Sequence, residues 1–107
     1  MAQGASRQEI TTRIDWSLDY LLNEWADIPT LAAEEWPLWS RNQQVEFFLD
    51  WSVKEDRLHA LRQWQAEGQI TAAQAARFAA LLRLIARHGP VLDALSASRD
   101  APRPESS

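Results

Sequence analysis

The sequence predicts an all-α fold, a compact bundle of about five short helices with a disordered C-terminal tail. Three observations predict it. Apolar residues recur every three or four positions over several stretches. Capping and breaking residues stand at the ends of those stretches. No segment alternates apolar and polar residues between turn signals, as a half-buried strand does. The chain has 107 residues, 46% of them hydrophobic and 24% charged. That suits one core and ordinary globular usage. The expected organisation is a flexible start over 1–5, one helical domain over 6–95 and a disordered tail over 96–107.

The first helix is expected from Ser6, where Ser6 and Glu9 have capping-box spacing. Ile10, Ile14, Leu18, Leu21, Leu22 and Trp25 then form one stripe. Asp27-Ile28-Pro29 ends it, because the residue before proline avoids helical angles. A short second helix is expected from Thr30, its cap, to Trp36, with Pro37 as its stop. Ser40 and Gln43 form a second capping box and open a third helix, with Val45, Phe48, Leu49 and Ser52 on one side.

Leu58, Leu61 and Trp64 point elsewhere on the same wheel. A single straight helix would need two opposite partners. A break near Trp51-Ser52 is therefore expected, with Ser52 and Glu55 capping a fourth helix. Gly68 reads as the residue that ends it. Thr71 and Gln74 cap a fifth helix, which should run to His88 and stop at Gly89-Pro90. Its apolar side is read as Ala75, Phe78, Ala79, Leu82, Ile85 and Ala86, with Arg83 and Arg87 opposite. A last turn, Val91 to Leu95, should pack back. The tail from Ser96, rich in Ser, Pro and charge, has no apolar anchor.

Composition excludes several classes of function. The absence of cysteine removes disulfides and thiolate-ligated metal centres. Met1 to Thr12 has no apolar core of a secretory signal. The most apolar stretch, Ala72 to Ala86, is interrupted by Arg77 and Arg83, so no segment reads as a membrane span. A cytoplasmic protein is expected. Ten arginines against the single Lys54, with abundant alanine, point to a GC-rich bacterial genome.

The net charge of −4 is unevenly spread. Residues 1–56 carry eleven acids and four bases, and residues 57–107 carry four acids and seven bases. An acidic half repels phosphates and favours a basic partner surface. Alternatively, the two halves attract each other within the fold.

Six tryptophans stand out. Trp25 and Trp64 lie on core stripes, and Trp36 and Trp39 flank Pro37 at a junction that large rings would fill. Trp16 lies opposite the core stripe of the first helix, and Tyr20 follows one turn later. Asp15, Asp19 and Asn23 surround the pair. Such a group resembles the centre of a protein interface, where aromatic anchors dominate binding. The alternative is a central helix buried on both sides.

No reactive constellation is spelled out. There is no phosphate-binding loop and no dinucleotide-binding glycine pattern. Ser40 and Ser52 read as caps, so neither His59 nor His88 has a nucleophile to activate. Asp56 and Glu55 stand one turn before His59, but a carboxylate-bridged metal site needs a second such motif. No cofactor or metal is expected, and the chain reads as no enzyme.

Residues 58–78 have a helix–turn–helix outline. Gly68-Gln69-Ile70-Thr71 also resembles the helix–G-x-I-T–helix element of the SHOCT domain. The likeness covers about a quarter of the chain. It lacks the acidic and aromatic residues that usually follow the threonine, since Ala72-Ala73-Gln74 stand there. The resemblance implies an oligomerisation or docking hairpin and assigns no family.

The expected function is a non-enzymatic protein–protein interaction module, adaptor-like or antitoxin-like. It would dock through Asp15, Trp16, Asp19, Tyr20 and Asn23, with Trp39 as a further contact. The alternative is a DNA-binding regulator using residues 58–88, with Arg62, Gln74, Arg77 and Arg83 near phosphate or base.

Overall fold

The first helical stripe is formed as its spacing demands. Ile14, Leu18, Leu21 and Trp25 are all buried, on a helix α1 that spans Ala2–Ala26. The computed structural model describes residues 2–100, and side chains over 7–98. Helix α1 begins ahead of Ser6, so Ser6 is interior to it and is not its cap. Two more long helices follow, α2 over Arg41–Ala66 and α3 over Ala72–Asp100. The fold is therefore all-helical, as expected, but with three long helices in place of about five short ones. No strand occurs among the described residues.

The pairings fix the directions. Glu24 meets Lys54 and Trp16 meets Arg57, so α2 runs antiparallel to α1. Gln74 meets Asp15 and Arg77 meets Asp19 one turn further along, so α3 runs parallel to α1. The core between them comprises Ile14, Leu18, Leu21, Trp25, Ile28, Trp51, Leu61, Phe78, Leu81 and Leu92. At 1.5 Å per residue, α3 is about 43 Å long.

The expected helix over Thr30–Trp36 is replaced by three different turns. They are one α turn at Ile28–Thr30, a wide π turn at Leu31–Glu35 and a 3-10 turn at Trp36–Leu38. Thr30 makes no side-chain cap. Pro29 and Pro37 each stand at the start of a turn, where a missing N–H has no partner to lose. The sequence of turns swings Trp36 inward, edge-on to Phe47 and Phe48 at 5.8 and 5.7 Å. Gln44, buried on α2, donates its side-chain N–H to the Trp36 carbonyl at 3.2 Å. The Ser40–Gln43 capping box is present, with both reciprocal bonds made.

The expected break at Trp51-Ser52 is absent, and α2 passes through it unbroken. Ser52 donates back to the Leu49 carbonyl at 2.7 Å instead of capping a new helix. The difference lies in which stripe of α2 faces the core. Val45 and Leu49, read as core, are exposed, while Gln44, Trp51 and Leu61 are buried. Gln44, Trp51 and Leu58 follow a heptad, as do Phe47, Lys54 and Leu61. A heptad drifts slowly around a straight helix, so one end can face the turns and the other the bundle.

Gly68 ends α2 with a φ of +74°, a left-handed conformation that glycine adopts without steric cost. The Gly68 N–H donates to the Gln65 carbonyl and the Gln69 N–H to the Trp64 carbonyl, which completes a Schellman motif. The Thr71–Gln74 capping box then starts α3, again with both bonds made.

Helix α3 does not stop at Gly89-Pro90. Pro90 and Ala86, whose carbonyl loses its i+4 donor, both lie on the exposed side, where solvent can reach the freed group. Leu92 and Leu95 beyond the proline are buried and hold the continuation to the bundle. The buried row of α3 is Gln74, Phe78, Leu81, Leu92 and Leu95, while Ala79 and Ala86 face outward. The helix runs on through Ser96 to Asp100, and the rest of the expected tail, 101–107, lies outside the described residues.

Two substitutions separate the two sides of α2. Trp51→Ala should lower unfolding free energy by about 3–5 kcal/mol, and Leu49→Ala by less than about 1 kcal/mol. Urea titration followed by circular dichroism at 222 nm checks both; equal losses would contradict the assigned stripe. Pro90→Ala should raise the melting temperature, since proline costs up to about 3 kcal/mol inside a helix.

Candidate functional site

The aromatic pair expected on α1 is real, but the chain partly covers it. Trp16 and Tyr20 stack with centroids 5.4 Å apart and planes 3° from parallel. Trp16 is 52% exposed, whereas Tyr20 is half-buried and packs on the core. From α2, the Arg57 guanidinium lies 4.3 Å from the Trp16 ring centre and 5.5 Å from that of Tyr20. Lys54 sits 5.0 Å from the Trp51 ring and 5.5 Å from Tyr20, and pairs with Glu24 at 3.4 Å. The buried Arg57 Nε–H has no hydrogen-bond acceptor. Its guanidinium has the ring faces beneath it instead.

The carboxylates beside this pair are also engaged. Arg77 on α3 reaches Asp15 at 3.3 Å and bridges to Asp19. Gln74, buried at the start of α3, donates to Asp15 Oδ1 at 2.9 Å and to the Thr11 carbonyl at 3.2 Å. Asn23 is exposed. Half-exposed ion pairs like these contribute only about 0–1 kcal/mol each. The same bonds occupy Gln74 and Arg77, two of the four side chains considered as DNA readers. Arg62 and Arg83 are exposed.

A second surface was not anticipated as a site. Leu49 is 67% exposed, Val53 50% and Leu38 83%, and Val45 is exposed as well. Val45, Leu49 and Val53 are spaced i, i+4, i+8, so they form one row on the outward side of α2. The spacing of the row is legible in the sequence, and its outward direction follows from the inward burial of Trp51.

Glu46 and Asp50 run alongside this row, both exposed and with no hydrogen bond or ion pair to another described side chain. Beyond them lies a groove of about 270 Å³, lined by Trp39, Gln43, Glu46, Phe47 and Asp50. Trp39 and Phe47 are half-buried, with centroids 5.7 Å apart and planes at 51°. Trp36 packs beneath both. Trp39, expected as a contact residue, is thus part of this surface and remote in sequence from Trp16.

Among the described residues no three histidine or carboxylate side chains come close enough to hold a metal ion. His59, Glu55 and Asp56 are exposed on α2. No helix among the described residues is long and apolar enough to cross a membrane. Comparison with family models, with curated proteins and with solved structures gave no match.

Gln74→Ala removes one arm of a capping box and two further bonds. It should cost about 1–3 kcal/mol, more than Arg77→Ala at about 1 kcal/mol or less. Thermal melts of the two variants check the order. If Arg77→Ala were the costlier change, the ion pairs would be holding the helices together.

Proposed function

We propose that this chain is a non-enzymatic protein–protein interaction module, adaptor-like in use, whose docking face is the outer side of α2. The exposed apolar row Val45, Leu49 and Val53 carries the reading. Three exposed aliphatic side chains, each one turn from the next on a polar helix face, offer an apolar stripe of the kind by which one amphipathic helix lies against another. Solitary exposed aliphatics need no explanation, whereas an aligned row favours an interaction surface.

Charge selects the partner. Glu46 and Asp50 flank the row without a cation among the described residues, so the fitting partner presents an apolar ridge bordered by arginine or lysine. A second copy fits less well. A two-fold antiparallel pairing on this row sets the Glu46–Asp50 edge of one copy against that of the other. The α1 face becomes a lesser contact, since Asp15 and Asp19 are tied to Arg77 and the aromatic pair is capped by Arg57. The DNA-binding reading loses support for a similar reason, because Gln74 and Arg77 already bond within the bundle.

Leu49→Gln with Val53→Gln keeps good helix formers and removes the apolar row. The double variant should melt within a few degrees of the parent. Tagged parent and variant, used for affinity capture from native cells, should differ in one or a few proteins that only the parent retains. Recovery of the same proteins by both, or of nucleic acid alone, would overturn the reading.

A further inference from the structure

The bundle covers the aromatic faces between α1 and α2 with cations. Trp16 and Tyr20 carry Arg57, and Trp51 and Tyr20 carry Lys54. Its inter-helix carboxylates follow the same rule, with Asp15 and Asp19 on Arg77 and Glu24 on Lys54. The groove at the start of α2 has the same ingredients and no cation of its own among the described residues. Trp39 and Phe47 form its aromatic wall, and Glu46 and Asp50, one turn apart, form its acidic edge.

We propose that the groove between Trp39, Phe47, Glu46 and Asp50 seats an arginine side chain of the basic partner. This rests on the interaction-module reading and names the contact that gives it charge selectivity. A guanidinium is planar, so it can lie on an aromatic ring while its edge N–H groups reach a carboxylate. An ammonium group offers a point charge and no flat face to stack. The volume of about 270 Å³ accommodates one long side chain and is below the usual size of a small-molecule site.

The wall is held ready before any partner arrives. Trp39 has an extended backbone, φ −82° and ψ 145°, and its N–H donates to the Trp36 carbonyl at 3.2 Å. Ser40 then locks the first turn of α2 through its capping box, and Gln44 ties that turn to Trp36. A fixed wall avoids the ordering cost that a loose loop would add to binding. The groove borders the Val45–Leu49–Val53 row across Glu46 and Asp50. A helix lying on that row can therefore reach the groove with a single long side chain.

The test uses the whole chain and two small probes, N-acetyl-arginine amide and its neutral isostere N-acetyl-citrulline amide. Each is titrated to high millimolar concentration against ¹⁵N-labelled protein while the six tryptophan indole N–H signals are followed. The Trp39 signal is assigned through Trp39→Phe. Saturable shifts are expected at Trp39 and at backbone amides over 43–50 with the arginine probe, and much smaller ones with citrulline. Glu46→Gln with Asp50→Asn should weaken the arginine effect about fivefold, the loss of two exposed charge contacts. Equal response to both probes, shifts centred on Trp16, or no saturable shift at Trp39 would each overturn the proposal. Because the probes do not depend on the apolar row, this result stands apart from the capture experiment on Leu49 and Val53.

Discussion

The structure depends on the burial of Trp51 at the point where α2 changes partners. On one side its ring tilts against Phe47 at 5.4 Å, within the aromatic group that anchors the turns before α2. On the other it meets Trp25 edge-on at 5.1 Å and 78°, within the bundle core. Edge-to-face and offset pairs add about 0.5–1.5 kcal/mol beyond the burial of the rings. Without this ring, the two halves of α2 would have separate supports and little reason to stay one straight helix. With it, the irregular crossover and the regular bundle share a core.

Local punctuation was legible in the sequence, and long-range phase was not. The Ser40–Gln43 and Thr71–Gln74 boxes form as their spacing indicates, and Gly68 takes the left-handed conformation expected of a helix terminator. These are contacts between near neighbours, so the chain carries all the information they need. The continuity of α2 through Ser52 and of α3 through Pro90 depends on what each helix meets elsewhere. Ser52 has the spacing of a cap but is overruled by the packing on either side of it. Pro90 is tolerated because its bare carbonyl partner faces water and because Leu92 and Leu95 are held beyond it.

The candidate surface was half legible for the same reason. Trp16, Tyr20, Asp15 and Asp19 drew attention because their types are unusual on a polar face, yet much of their bonding is internal. Of the two readings of the uneven charge, attraction between the halves accounts for the ion pairs of Asp15 and Asp19 with Arg77. It does not account for Glu46 and Asp50, which no base among the described residues approaches. Their significance follows from the outward placement of Val45 and Leu49, and that placement depends on Trp51.

Lys54 has one more consequence. It is the sole lysine in the chain, and its side chain is 11% exposed, held between Tyr20, Trp51 and Glu24 in mid-helix. An endoprotease that cuts only after lysine therefore has one scissile bond here, and it is locked in regular backbone. Cleavage there requires the neighbouring coils to part first, so its rate measures how often they separate. The molecule thus contains a built-in gauge of its own breathing, readable on a gel without any label.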